Sequence, residues 1–174
     1  MEIAIEFIKI LLPAGLVLWA MYLTVSSFLQ KELIQKELDL KADYAKTLLP
    51  IRLQAYERMT LFLERITPNQ LLVRLNGMAT SAKEFQQILL HEVREEFSHN
   101  LSQQVYMSDA AWEQVRNAKE QVITLINTAA QALTPEATAF ELSKKIFEMV
   151  INQNLNLTDS ALLFIKDEMR KAFF

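Results

Sequence analysis

Two histidines are the only imidazoles in the chain, and both fall in one short stretch, His91 and His99. Glu95 lies midway between them. On a helix, eight residues turn through about 80° beyond two full turns, so His91, Glu95 and His99 form a stripe. Imidazole and carboxylate on one stripe is metal-ligand chemistry. Glu96 and His99 also have the Glu-x-x-His spacing of carboxylate-bridged di-metal bundles, which need two such motifs and two further glutamates facing inward. Only one is present, and His91-Glu92-Val93-Arg94-Glu95 lacks the second histidine of a zincin. Phe85, Leu89, Val93 and Phe97 lie largely opposite the stripe and define the apolar face of that helix. The candidates His91, Glu92, Glu95, Glu96 and His99 are therefore expected on a solvated face, with no metal and no cofactor assigned.

Other chemistries find less support. No Gly-x-Ser-x-Gly elbow is present, and the serines and threonines mostly occupy helix-cap positions. Cysteine is absent, which excludes thiol catalysis, disulfides and iron–sulfur ligation. Only Gly15 and Gly77 occur, where average usage would give roughly 12 glycines. Phosphate-cradling loops need glycine clusters, and sheet folds need glycine in their turns. Arg52, Arg58, Arg65 and Arg74 share a region with Tyr56 and Phe62. Glu57 and Glu64 accompany them and offset part of their charge, and the whole chain carries a net charge of −3. Nucleic acid is not an expected partner.

The elements that must position these residues are helices. The composition is 51% hydrophobic, and Ile10 to Gln30 runs without a charge between Lys9 and Lys31. As a helix it would be about 31 Å long, enough to cross a bilayer core of about 30 Å. Trp19 lies mid-span. One lysine precedes this stretch, whereas Lys31, Lys36, Lys41 and Lys46 follow it, so the positive-inside rule sends the carboxyl side to the cytoplasm. Residues 1–9 are then a short extracytoplasmic terminus, 10–30 a transmembrane helix, 31–49 a charged stalk and 50–174 a helical cytoplasmic domain. Ala20, Thr24 and Ser27 make a ridge of small residues suited to helix–helix packing.

Pro50 is expected to open a new helix running to Ile66, with Leu49, Tyr56 and Leu63 in one apolar row. Thr67-Pro68-Asn69-Gln70 has the form of a capping box opening a short helix, with Gly77 as its left-handed end. Ser81 and Glu84 open the helix that reaches about Leu101. Ser108-Asp109 starts the clearest helix, with Trp112, Val115, Val122, Ile126 and Leu133 on one stripe. Thr134-Pro135-Glu136 is expected to start another, carrying Phe140, Phe147 and Val150. Thr158-Asp159 caps the last, with Leu162, Ile165 and Met169 inward. The fold class is all-α: an N-terminal transmembrane helix continuing into a stalk, then a bundle of about five to six helices.

Three segments resemble an uncharacterised family of small bacterial proteins. They are Leu49-Pro50-Ile51-Arg52-Leu53-Gln54-Ala55-Tyr56-Glu57-Arg58, Glu96-Phe97-Ser98-His99-Asn100-Leu101-Ser102-Gln103-Gln104, and Trp112-Glu113-Gln114-Val115-Arg116-Asn117-Ala118-Lys119-Glu120. The resemblance implies a single amino-terminal span followed by a helical domain, and it implies no catalytic residues. The functional expectation is an inner-membrane scaffold or accessory subunit presenting a helical surface to a protein partner or to a second copy, with the lipid bilayer as its other partner. The alternatives are a metal-binding bundle enzyme using the histidine stripe, and a soluble all-α regulator whose first helix is buried.

Overall fold

The computed structural model describes the main chain of residues 2–173 and the side chains of residues 11, 12 and 14–171. Among these residues there are helices and no strand. Six α-helices follow in order: α1 (Glu2–Arg65), α2 (Pro68–Arg74), α3 (Ala82–His99), α4 (Asp109–Gln131), α5 (Ala139–Asn152) and α6 (Asp159–Phe173). A 3-10 helix, Leu101–Tyr106, separates α3 from α4. The chain divides into two compact units, Met1–Leu49 and Pro50–Phe174.

The first unit corrects the expected membrane span. Among the described residues no helix is long and apolar enough to cross a membrane. From Ala14 onward, Trp19, Tyr22, Thr24, Ser26, Ser27 and Gln30 dilute the apolar run before Lys31 ends it. Ile10, Pro13 and the 1–9 segment lie outside the residues whose side chains are described. The transmembrane helix, and the inner-membrane localisation and topology that rested on it, are therefore withdrawn. Trp19 and Gln30 stand exposed, as does the ridge of Ala20, Thr24 and Ser27. The Thr24 hydroxyl donates back to the Ala20 carbonyl at 2.8 Å, and Ser26 does the same to Leu23 at 3.1 Å. These bonds satisfy the hydroxyls within the helix.

No new helix opens at Pro50, because α1 continues through it to Arg65. Proline there forfeits one main-chain bond, to the Lys46 carbonyl, at a cost of about 3 kcal/mol in a helix interior. Beyond Pro50, Tyr56, Met59, Phe62, Leu63 and Ile66 are buried at i, i+3, i+4 and i+7 spacing, which fixes this part of the helix by packing.

The second unit is built around α4. Its stripe Ala111, Val115, Ala118, Val122, Ile126 and Ala129 is almost wholly buried, and the alanines let neighbouring helices come close. Phe85, Leu89 and Val93 face it from α3, Leu142 and Ile146 from α5, and Ala161, Leu162 and Ile165 from α6. Leu71, Leu72 and Leu75 close the core beside α2.

Three local expectations change. Thr67 does not cap α2; its hydroxyl donates to the Glu64 carbonyl at 2.8 Å, although Pro68 does hold the first helical position. Thr134-Pro135-Glu136 is a turn, and α5 begins only at Ala139. Its start is a full capping box: the Thr138 hydroxyl accepts from the Glu141 N–H at 3.3 Å, and the Glu141 carboxylate accepts from the Thr138 N–H at 2.7 Å. Phe140 is 76% exposed, because Leu142 and Ile146 set the inward face and Phe147 and Val150 only flank it.

The starts of α3 and α5 are tied together. Ala82 N–H donates to the Ala137 carbonyl at 2.8 Å and Ala139 N–H to the Thr80 carbonyl at 2.9 Å. Ser81 and Thr138, the N-caps of the two helices, thereby form an isolated antiparallel bridge.

Candidate functional site

The histidine stripe sits on α3 and faces outward. His91, Glu95 and His99 are all exposed, and the His99 imidazole is 3.9 Å from the Glu95 carboxylate. An exposed pair at that distance contributes little. Glu92 and Glu96 are half-buried and already engaged. Arg74 reaches Glu92 at 2.7 Å, and Arg65 pairs with Glu96. These two bridges tie α2 and the end of α1 to α3, so both glutamates serve the packing of the second unit. Among the described residues no three His, Cys, Asp or Glu side chains are placed to hold a metal ion.

The inward side of α3 carries an aromatic cluster. Phe97 and Trp112 stack at 5.3 Å between ring centres, and Phe62 meets Phe97 at 5.7 Å in a tilted arrangement. The Lys119 ammonium stands 4.3 Å above the Phe97 ring and also pairs with Glu120 at 2.8 Å. Trp112 is half-buried, where its place on the strongest apolar stripe suggested full burial. The stack on Phe97 holds it at the rim of the core.

The most developed polar junction in the second unit joins α1, the start of α4 and α6. The Tyr56 hydroxyl donates to one oxygen of Glu168, and the Ser108 hydroxyl donates to the other at 2.7 Å. Ser108 is also the N-cap of α4, accepting from the Ala111 N–H at 3.1 Å. Arg52 adds a bond from Nε to the Tyr106 carbonyl at 3.3 Å. Burial, and then the hydrogen bond to Glu168, push the Tyr56 hydroxyl above the usual phenol pKa. Sequence reasoning missed this junction because its members are far apart in the chain and none carries a local motif beyond the Ser108 cap.

An open groove of about 630 Å³ lies between α4, the end of α5 and the following loop. Leu125, Met149, Leu155 and Leu157 form its floor, and Asn117, Gln121, Thr124, Thr128 and Gln153 its polar walls. It holds one acid, Glu120, which Lys119 already pairs. No nucleophile–base couple lines it.

The largest unsatisfied feature belongs to the first unit. Between Leu11 and Leu49, the described large apolar side chains of α1 stand 41–69% exposed.

No curated protein and no solved structure matches the chain. A family model does, over residues 2–172, nearly the whole length. The chain belongs to a family of unknown function, DUF7935.

Proposed function

We propose that this protein is a helical interaction protein, a scaffold or accessory subunit that presents α1 to a protein partner. One observation carries the reading. Leu33, Ile34, Leu38, Leu40, Tyr44 and Leu48 are each 48–66% exposed. At 100° per residue they fall on one arc of about 160°, within which only Glu37 and Lys41 carry charge. Gln35, Lys36, Asp39, Asp43 and Lys46 occupy the other side, where water suits them. Lys46 and Asp43 pair there at 3.3 Å, and Gln35 donates to Asp39 at 3.1 Å. Most helix stability in proteins comes from packing an apolar face, and large exposed apolar patches mark interaction surfaces.

The test is Leu38→Glu combined with Leu48→Glu in the full chain. The parent chain purified from its own cells is expected to carry an associated protein, or to show a larger hydrodynamic size than one chain, and the variant is expected to lose it. Trp112 fluorescence, read in a Trp19→Phe background, should stay unchanged and report that the second unit is still folded. A variant with the same associates and the same size would overturn the reading.

A further inference from the structure

The turn after α2 assembles the parts of a spontaneous modification site. The chain holds eight asparagines, and only Asn76 is followed by glycine. Asn76 is exposed, in a turn formed with Leu75 and Gly77. Gly77 sits at φ 81°, a left-handed value that glycine adopts without strain. A Cβ at Gly77 would meet nothing within 4 Å, so no packed neighbour crowds that side of the turn. The flanking amides are engaged: Leu75 N–H donates to the Leu71 carbonyl at 3.1 Å, and Met78 N–H to the Leu75 carbonyl at 3.2 Å. Among the described residues the Gly77 N–H has no main-chain acceptor.

We propose that Asn76 deamidates in the folded protein. The Gly77 main-chain nitrogen loses its proton to hydroxide and attacks the carbonyl carbon of the Asn76 side chain. A C–N bond forms and closes a five-membered succinimide. The bond from that carbon to the side-chain nitrogen breaks, and ammonia leaves. Water then opens the ring at either carbonyl, giving aspartate or isoaspartate. No atom is oxidised or reduced, and water is the only co-reactant. A side chain on the following residue would crowd the attacking nitrogen, which is why glycine at 77 singles out this asparagine.

The product changes the turn in two ways. It places a new carboxylate at the carboxyl end of α2, where the helix dipole is already negative. Arg74, the nearest cation in sequence, is committed to Glu92 at 2.7 Å. The isoaspartate form also adds a methylene to the main chain just before the segment leading to Ser81, the residue bridged to Thr138.

The experiment holds the full chain, folded, at mildly alkaline pH, with samples taken over days and digested with trypsin. The peptide Leu75–Lys83 is followed by mass spectrometry after chromatographic separation. The original peptide should be progressively lost to two products, each with the mass change of amide to acid, faster as pH rises. Peptides carrying Asn69 and Asn154 should remain intact in the same samples. Asn76→Gln should abolish the conversion, and Asn76→Asp should give one of the two product peaks at time zero. Two results overturn the proposal. One is Asn76 converting no faster than Asn69 and Asn154. The other is conversion in urea-unfolded chain but none in the folded protein, which would mean that the fold protects the turn.

Discussion

Tyr56 on α1 donates its phenolic hydrogen to Glu168 on α6, a partner 112 positions away in the chain. The second oxygen of the same carboxylate takes the Ser108 hydroxyl, so one side chain joins three elements of the second unit. Replacing Tyr56 with Phe keeps the ring and removes the donor. This should cost about 1–3 kcal/mol, since a hydrogen bond to a charged, half-buried carboxylate is lost. The pH dependence has a definite sign. Burial raises the Tyr56 pKa, so the folded state favours the neutral phenol. Its contribution is complete below the ordinary tyrosine pKa and is lost as pH climbs through the raised value. Thermal unfolding measured across the alkaline range should show that loss in the parent chain and a smaller one in Tyr56→Phe.

Thr138 and Thr134 offer a direct comparison. Both precede α5, but only Thr138 caps it through its hydroxyl. Thr138→Ala should destabilise by about 0.5–2 kcal/mol, the usual cost of losing an N-cap. Thr134→Ala should stay within about 0.5 kcal/mol, as surface changes do. The main-chain bond from Thr138 holds the exposed Glu141 carboxyl below its ordinary pKa. The capping contribution should therefore be present above that ordinary value and lost as pH falls through the depressed one. Chemical denaturation of both variants at neutral and acidic pH measures the difference.

Phe62 is 1% exposed, whereas Trp112 is half-buried against Phe97. Phe62→Ala should cost about 3–5 kcal/mol, the range for deleting a packed aromatic side chain. Trp112→Ala should cost less, because part of its ring already meets water. Equal losses in urea unfolding would mean that Trp112 is covered in solution.

His91 and His99 should be dispensable for folding. Replacing both with Ala is expected to change stability by less than about 0.5 kcal/mol, since neither side chain is enclosed. Elemental analysis of the purified parent chain should find no stoichiometric transition metal. Metal bound at a fixed ratio and lost in the double variant would reverse this assignment.

The second unit was readable where periodicity and packing agree. Along α4, the stripe from Ala111 to Ala129 is both the sequence pattern and the buried face. Ser81 and Ser108 cap their helices as their types suggest. Reading failed where two local signals competed. Thr134-Pro135-Glu136 and Thr138-x-x-Glu141 are both helix-start patterns, and only the second lies where the bridge to Ser81 can form. Phe140 is bulky enough to suggest burial, yet the inward face falls on Leu142 and Ile146. The 3-10 helix at Leu101–Tyr106 leaves Leu101, Val105 and Tyr106 exposed, so no buried face announced it. The apolar run before Gln30 drew a membrane reading that the described residues do not support. Of the candidate site, the outward place of the histidines was legible, but the arginines engaging Glu92 and Glu96 come from other helices.

The bridge between Ser81 and Thr138 makes two helix ends behave as one. Ala82 and Ala139 each give their amide hydrogen to the opposite strand of that bridge. Neither amide can meet solvent unless the knot opens, and opening it releases both. The initial turns of α3 and α5 should therefore form a single unit in hydrogen exchange, although more than fifty residues of chain separate them. Helix ends ordinarily fray on their own; here the amides of Ala82 and Ala139 should exchange at matched rates, slowed together and freed together.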